Sequence, residues 1–111
     1  MLRISLELLH QRGTLALMPE FLLIMKRGGA ATRDEDWATY LKELRGSPLF
    51  RGGSSLGNGV AIADKREGGA CSVTGFMRFA AASRDEVRAL VRGNPLYEAG
   101  GELELLELLE D

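Results

Sequence analysis

The fold of this chain is decided by residues 72–110, which read SVTGFMRFAAASRDEVRALVRGNPLYEAGGELELLELLE. Residues 73–81 alternate with a period of two, which is typical of a strand with one packed face. Residues 83–86 form a capping-box pattern that begins a helix, and the Gly-Asn-Pro at 93–95 ends it. A second apolar run follows, so the stretch predicts a βαβ unit.

The final apolar run of this stretch is ambiguous when it is read alone. Leu103 and Leu105 alternate with glutamates, which fits a strand. Leu103, Leu106 and Leu109 are also spaced by three, and Glu and Leu are strong helix formers, which fits a helix. The choice depends on the other half of the chain.

An internal repeat decides between strand and helix for the final apolar run. The segment RGSPLFRGG at 45–53 matches RGNPLYEAGG at 92–101, with one inserted residue before the glycine pair. In both halves the order before this segment is the same: an apolar run, a capping box (32–35 and 83–86) and a helix with one apolar stripe. The first helix is predicted to be about one turn longer than the second. The stretch after Gly53 is too short for a helix, so the C-terminal run is predicted to be a strand. Two such halves predict an α+β fold with the ferredoxin-like split βαβ arrangement.

The first apolar run and the stretch between the two halves add further strand predictions. The run FLLIM at 21–25 is uninterrupted and apolar, which predicts a strand buried on both faces. Gly57-Asn58-Gly59 is a hairpin signal that leads into residues 60–63, and residues 64–70 read as an exposed loop. We expect an extra strand pair in this region.

Composition limits the possible classes of partner. The 111 residues suffice for one domain with its own core. Fourteen basic and sixteen acidic residues are mixed along the chain and give a net charge of −2, so no nucleic-acid partner is predicted. The single cysteine, Cys71, excludes an internal disulfide and indicates a reducing compartment. We interpret it as a loop-edge thiol, because no histidine lies near it in sequence.

Residues 1–17 are predicted to be an N-terminal extension, and residues 18–111 the domain. The extension is too short and too polar for a secretory or transmembrane segment, so we expect a cytoplasmic protein without a membrane partner. His10, the only histidine, is interpreted as an exposed polar residue.

The face of the sheet opposite the helices is predicted to be apolar. Phe76, Leu106 and Leu108 are expected to point to this side, which is too apolar to stay in contact with water in an isolated domain. We therefore predict a homodimer in which two sheets pack face to face around a central cavity.

From Met18 to Glu110 the chain resembles the YCII-related domains, small bacterial dimeric α/β-barrel proteins related to the DGPF proteins. The resemblance implies the ferredoxin-like fold, the dimer and a cavity. One branch of that family has a proposed dyad of a His in the first helix and an Asp before the Pro after the second helix. Trp37 and Asn94 stand at those places here, and the DGPF motif is absent. The resemblance rests on residues 21–24, 37–41, 52–55, 74–76 and 94–101.

Two functions remain open. The first is a non-catalytic or regulatory dimer that binds a small anionic or aromatic molecule. The second is an enzyme of the lyase, isomerase or dehydrochlorinase kind that uses Glu98 or Asp36 as its acid/base. The resemblance implies this class, because some members of the family resemble lyases or dehydrochlorinases. No metal-ligand spacing occurs, and no cofactor is predicted. The candidate ligand-binding residues are Trp37, Ser54, Ser55, Phe76, Arg78, Tyr97 and Glu98.

Each candidate also has a structural interpretation. Arg78, mid-strand, either contacts an anion or pairs with a strand glutamate such as Glu102 or Glu104. Glu98 either acts chemically, caps a helix or pairs with Arg51. The aromatic candidates either line a pocket or belong to the core, and the serines between glycines could present hydroxyls and amides to an anion.

Overall fold

The two predicted halves occur in the order expected for a split βαβ domain. The structure is a computed structural model that describes residues 18–109, so the predicted extension, its boundary and His10 lie outside the described residues. The elements are β1 (Glu20–Lys26), α1 (Asp34–Arg45), β2 (Phe50–Ser55), β3 (Val60–Ala63), β4 (Arg66–Ala70), β5 (Val73–Ala80), α2 (Arg84–Val91), α3 (Pro95–Glu98) and β6 (Leu103–Leu108).

Four of the strands form one antiparallel sheet in the order β2-β5-β1-β6. This order, in which the first strand is central and the last strand is an edge, is that of the ferredoxin-like α+β fold. The prediction that the C-terminal run is a strand is confirmed, because β6 pairs with β1 along its length. None of the helices within residues 18–109 is long and apolar enough to cross a membrane.

The central strand β1 has one fully buried face. Phe21, Leu23 and Met25 are buried against the helices, whereas Leu22 and Ile24 on the other face are half-buried. The prediction of burial on both faces is therefore wrong for this strand. An antiparallel sheet that carries helices on one side only leaves its second face without a protein layer.

That second face is the open face of the sheet. Leu106 and Leu108 are 48% and 40% exposed, and Phe76 is half-buried. The cross-strand pairs Leu22↔Leu106 and Glu20↔Leu108 place the leucines beside β1. The expectation that Phe76, Leu106 and Leu108 lie on this face is confirmed.

The two long helices begin differently. At α2 the Ser83 hydroxyl accepts from the Glu86 amide (3.3 Å), as the predicted capping box requires. The Glu86 carboxylate reaches back as predicted, but it accepts from Ala82, one residue before the N-cap (2.9 Å). At α1 the N-cap residue is Arg33, whose side chain makes no cap. The predicted first capping box is wrong, because Thr32 uses its hydroxyl to accept from the Trp37 indole (3.0 Å) instead.

The extra strand pair between the halves is present as the hairpin β3–β4. Its turn is Asp64-Lys65, where both residues have positive φ angles of 53° and 62°, as a tight two-residue hairpin turn requires. Residues 66–70, predicted to be a loop, form its second strand, so that boundary is wrong. Ile62 is 71% exposed on this hairpin.

Candidate functional site

A cavity of about 780 Å³ lies between α1, β2 and the loop from β1 to α1. Its inner wall is apolar and half-buried or buried, and its mouth is formed by exposed polar residues and glycine backbone. The apolar lining consists mainly of Met25, Trp37, Leu41, Phe50, Phe76, Met77 and Leu96. The polar lining consists mainly of Lys26, Arg27, Thr32, Asp34, Arg45, Ser54, Ser55 and Thr74.

Glycines let the backbone approach closely around this cavity. A Cβ at Gly53 would collide with the carbonyl oxygen of Phe76, so β2 can lie this close to β5 only with glycine there. Gly29 has a φ of 77°, and a Cβ on it would lie 2.7 Å from the Gly101 amide nitrogen. The paired glycines of the repeat therefore have a structural role, which is to bring strands and loops together beneath the cavity.

Trp37 is the main aromatic side chain of the α1 wall. Its ring packs edge-on against Tyr40, with centroids 6.3 Å apart and an interplanar angle of 73°. Its indole N–H is already satisfied by the Thr32 hydroxyl. The hydrogen bond of the indole N–H and the packing of the ring against Tyr40 fix the orientation of Trp37. The side chain therefore gives the cavity a rigid, flat apolar wall.

The charged side chains of the lining are predominantly basic. Lys26 pairs with Glu104 at 2.8 Å and with Glu102 at 3.5 Å, and the hydrogen bond from Lys26 to Glu104 raises the pKa of Lys26. Arg27 donates to the Cys71 carbonyl at 3.3 Å. Within residues 18–109 no carboxylate lies within 4.0 Å of Arg45, so its charge is available to a ligand.

Four of the sequence-predicted residues meet in this one cavity, namely Trp37, Ser54, Ser55 and Phe76. The Ser54 hydroxyl donates to the Ser55 carbonyl at 2.8 Å, so its proton is already used, while its oxygen can still accept a hydrogen bond. Both serines are exposed at the mouth.

Arg78 does not enter the cavity. It lies on the open face, where its guanidinium pairs with the Glu20 carboxylate at 2.7 Å. The expected ion pair with a strand glutamate is present, but the partner is Glu20 of β1, because Glu102 and Glu104 pair with Lys26.

Glu98 and Asp36, the proposed acid/base residues, line a separate groove of about 470 Å³. The Glu98 carboxylate accepts from the Gly93 amide at 3.0 Å, so it acts as a backbone cap and does not pair with Arg51. Asp36 is exposed and lies 4.0 Å from the Arg33 guanidinium. Among the described residues, Asp34 is the carboxylate that lines the larger cavity.

Tyr97 is exposed and lines a third groove, beside α2 and β6. The neighbouring Asn94 is fully buried, and its side chain accepts from the Leu96 (2.9 Å) and Tyr97 (3.2 Å) amides. From the sequence, Asn94 was interpreted as part of a helix stop and as the residue at the place of the family's Asp, but not as an N-cap. An Asn directly before Pro is also the pattern of an N-cap followed by a first helical residue, and this would have identified α3.

Three charged residues at the mouth of the cavity were not predicted from the sequence, namely Arg27, Arg45 and Asp34. These charged residues lie in loops or on exposed helix turns, where the sequence carries no periodic signal of their role. No group of three or more His, Cys, Asp or Glu side chains that could hold a metal ion occurs in the part of the chain that the structure describes.

The antiparallel sheet with helices on one face defines a ferredoxin-like α+β domain. The chain is similar in structure to 5-chloro-2-hydroxyhydroquinone dehydrochlorinase (TftG) from Burkholderia phenoliruptrix AC1100, solved in complex with 2,5-dihydroxybenzoquinone. The TM-score is 0.50 at 23% sequence identity, over 83% of this chain and 95% of that chain. No protein-family model and no curated protein matches the chain. At the level of fold, the similarity agrees with the resemblance to YCII-related domains.

Proposed function

We propose that the protein binds a small aromatic anion in the cavity of about 780 Å³. The observation that carries the proposal is the combination of a rigid Trp37 wall with a basic mouth in one concave site. Small-molecule sites have volumes of roughly 300–1,000 Å³, mostly apolar linings and a few polar groups that fix orientation.

The charges favour an anion. Lys26, Arg27 and Arg45 contribute three positive charges to the lining, and Asp34 contributes one negative charge. The Glu102 and Glu104 carboxylates partly neutralise Lys26, which leaves the two arginines as the main contacts. A guanidinium binds a carboxylate through two parallel hydrogen bonds, so a planar aromatic carboxylate or phenolate fits both parts of the site.

A thermal-shift and calorimetry comparison of benzoate, hydroxybenzoates and the isosteric benzamides tests this proposal. A ligand at about one hundred times its Kd adds about 2.7 kcal/mol to stability, which raises Tm. The acids should raise Tm more than the amides, and Arg45→Gln should reduce that difference. Arg66→Gln, on the exposed hairpin, is the charge-matched control. Equal responses to acids and amides, or no response to either series, would contradict the proposal.

We also propose a homodimer in which two open faces pack together. The support is the exposure of Leu106 and Leu108 beside the half-buried Leu22 and Ile24, an apolar surface on the side without helices. Analytical ultracentrifugation should give a dimer for the wild type and a monomer for Leu106→Glu. Leu109→Glu, just beyond β6, should stay dimeric, and a monomeric wild type would refute the dimer.

A lyase, isomerase or dehydrochlorinase activity is the second candidate. Its support is Asp34, a carboxylate in the lining of the cavity, together with a fold similar to that of a dehydrochlorinase. Incubation with 5-chloro-2-hydroxyhydroquinone should then release chloride above the uncatalysed rate, and Asp34→Asn should remove the excess. If chloride release with the wild-type protein is no faster than the uncatalysed rate, this substrate is excluded.

A further inference from the structure

A groove of about 620 Å³ runs between α2 and the edge strand β6. Its floor is apolar, formed by the buried Leu23 and Val91 and the half-buried Leu103 and Leu105. The exposed Tyr97 stands at its side. Neither the cavity described above nor the open face includes this surface.

One wall of the groove is a basic stripe. Arg84, Arg88 and Arg92 recur at every fourth residue along α2 and its C-cap, and all three line the groove and are exposed. Arg88 pairs with Asp85 at 3.1 Å, an exposed pair of small energetic value. Within residues 18–109 no carboxylate lies within 4.0 Å of Arg84 or Arg92. Glu102 is the carboxylate that lines the groove, and it pairs with Lys26 at 3.5 Å. The three arginines of the stripe therefore outnumber the acids that face them in the described residues.

The opposite wall is a free sheet edge. The Lys26 amide donates to the Glu102 carbonyl at 3.1 Å, so the even-numbered residues of β6 direct their backbone groups to β1. The N–H and C=O groups of Leu103, Leu105 and Glu107 then point away from β1, toward the edge. No backbone partner for them occurs among the described residues. Such an edge is a template for an additional strand.

The spacings of the two walls match. Four residues of helix rise about 6 Å, which separates successive arginines of the stripe. Alternate residues of an extended strand are about 6.6–6.8 Å apart. A strand added to the edge would therefore place every second side chain beside the next arginine.

We propose that the groove binds an acidic peptide segment in extended conformation, which pairs with β6 as a fifth strand of the sheet. Acidic residues at alternate positions face Arg84, Arg88 and Arg92, and the intervening side chains extend the opposite face of the sheet. Main-chain hydrogen bonds supply affinity in strand addition, and the alternate side chains supply specificity. The partner is thus a protein or peptide with an alternating acidic and apolar sequence.

A second copy of this chain fits the groove less well. In such a pair, the β6 strands of the two copies would lie side by side, related by a two-fold axis perpendicular to the sheet. The side chains of the second copy that face its own helices would then lie on the same side of the joined sheet as the arginine stripe. The stripe would then meet the partner's Leu103, Leu105 and Glu107, which include one acid. Charge complementarity favours the acidic peptide.

The probe is a short fluorescent peptide in which valine and glutamate alternate, titrated into the full chain and followed by anisotropy. The control peptide has the same composition with its glutamates consecutive. Only the alternating peptide should bind tightly, and rising NaCl should weaken it. The double variant Arg84→Gln/Arg92→Gln should raise Kd about tenfold, whereas Arg66→Gln should leave it unchanged.

The free edge is tested separately by Glu107→Pro, which removes one outward N–H and leaves the bonds to β1 intact. Circular dichroism and thermal melting establish that each variant is folded. Weaker binding to folded Glu107→Pro supports strand addition. Equal affinity for the two peptides would overturn it in favour of a nonspecific anionic contact. Absence of binding would also overturn the proposal. Self-association of the wild type that is lost in the double arginine variant would overturn it as well, because a second copy of the chain would then be the occupant of the groove.

Discussion

The Tyr40 hydroxyl donates a hydrogen bond to the Leu90 carbonyl at 2.7 Å and thereby joins α1 to α2. Leu90 lies in the last turn of α2, where carbonyl groups have no partner within the helix. The contact therefore satisfies an orphan helix acceptor from a neighbouring helix, and Tyr40 is buried as a result.

Tyr40→Phe should lower the free energy of unfolding by about 1–2 kcal/mol, because it removes the hydroxyl and leaves the Leu90 carbonyl unpaired. Urea denaturation measures this loss. Tyr97→Phe is the matched control, since Tyr97 is exposed and should change stability by less than about 0.5 kcal/mol. Equal losses for both variants would contradict the role of the Tyr40 bond.

Stability should also fall in alkali because of Tyr40. Burial raises the pKa of Tyr40 from 10.0 to about 12. The unfolded state therefore releases this proton at lower pH than the folded state. The stabilisation is fully present below pH 10.0 and is lost as the pH rises toward about 12.

Ultraviolet titration of tyrosinate checks the pKa directly. The chain has two tyrosines. Tyr40→Phe should remove the late-titrating one and flatten the alkaline loss of stability. If the titration that Tyr40→Phe removes lay near pH 10.0 in the folded protein, the assignment would be refuted.

Gly53→Ala should destabilise the protein by about 2–3 kcal/mol, since the added methyl group collides with the Phe76 carbonyl in the neighbouring strand. Gly68→Ala in β4 is the control, because a Cβ there meets nothing within 4 Å. Thermal unfolding should show a large decrease in Tm for the first variant and little change for the second. A neutral Gly53→Ala would mean that β2 can move away from β5 at no cost.

Asn94→Ala should cost about 2 kcal/mol, because the Leu96 and Tyr97 amides lose their acceptor at a fully buried position. Ser83→Ala removes an exposed cap and should cost about 1 kcal/mol. Chemical denaturation of both variants compares them. A smaller loss at Asn94 than at Ser83 would show that water replaces the cap at α3.

Much of the fold could be predicted from local sequence. The repeat, the Ser83 capping box and the glycine pairs predicted the split βαβ order, and the repeat correctly chose strand over helix for residues 103–108. Local patterns failed where another side chain competes for the same group. Thr32 has the residue type of a cap, yet its hydroxyl accepts from the indole of Trp37, which lies in α1 five residues further along the chain.

The candidate site could be predicted only in part. The meeting of Trp37, Ser54, Ser55 and Phe76 in one cavity follows from elements that the sequence placed in order. The partners of charged side chains could not be predicted, because they depend on strand register. The register of β6 against β1 sets Glu104 opposite Ile24, where this glutamate can pair with Lys26. Arg78 pairs with Glu20 instead.

The central position of β1 also sets the order in which the protein can fold during synthesis. β1 emerges from the ribosome before both of its neighbours, β5 and β6. Its run of five apolar residues, Phe21 to Met25, must therefore wait without sheet partners while the intervening segments are made. An unpaired apolar strand during this interval is the kind of segment that chaperones protect and that aggregates when translation stalls.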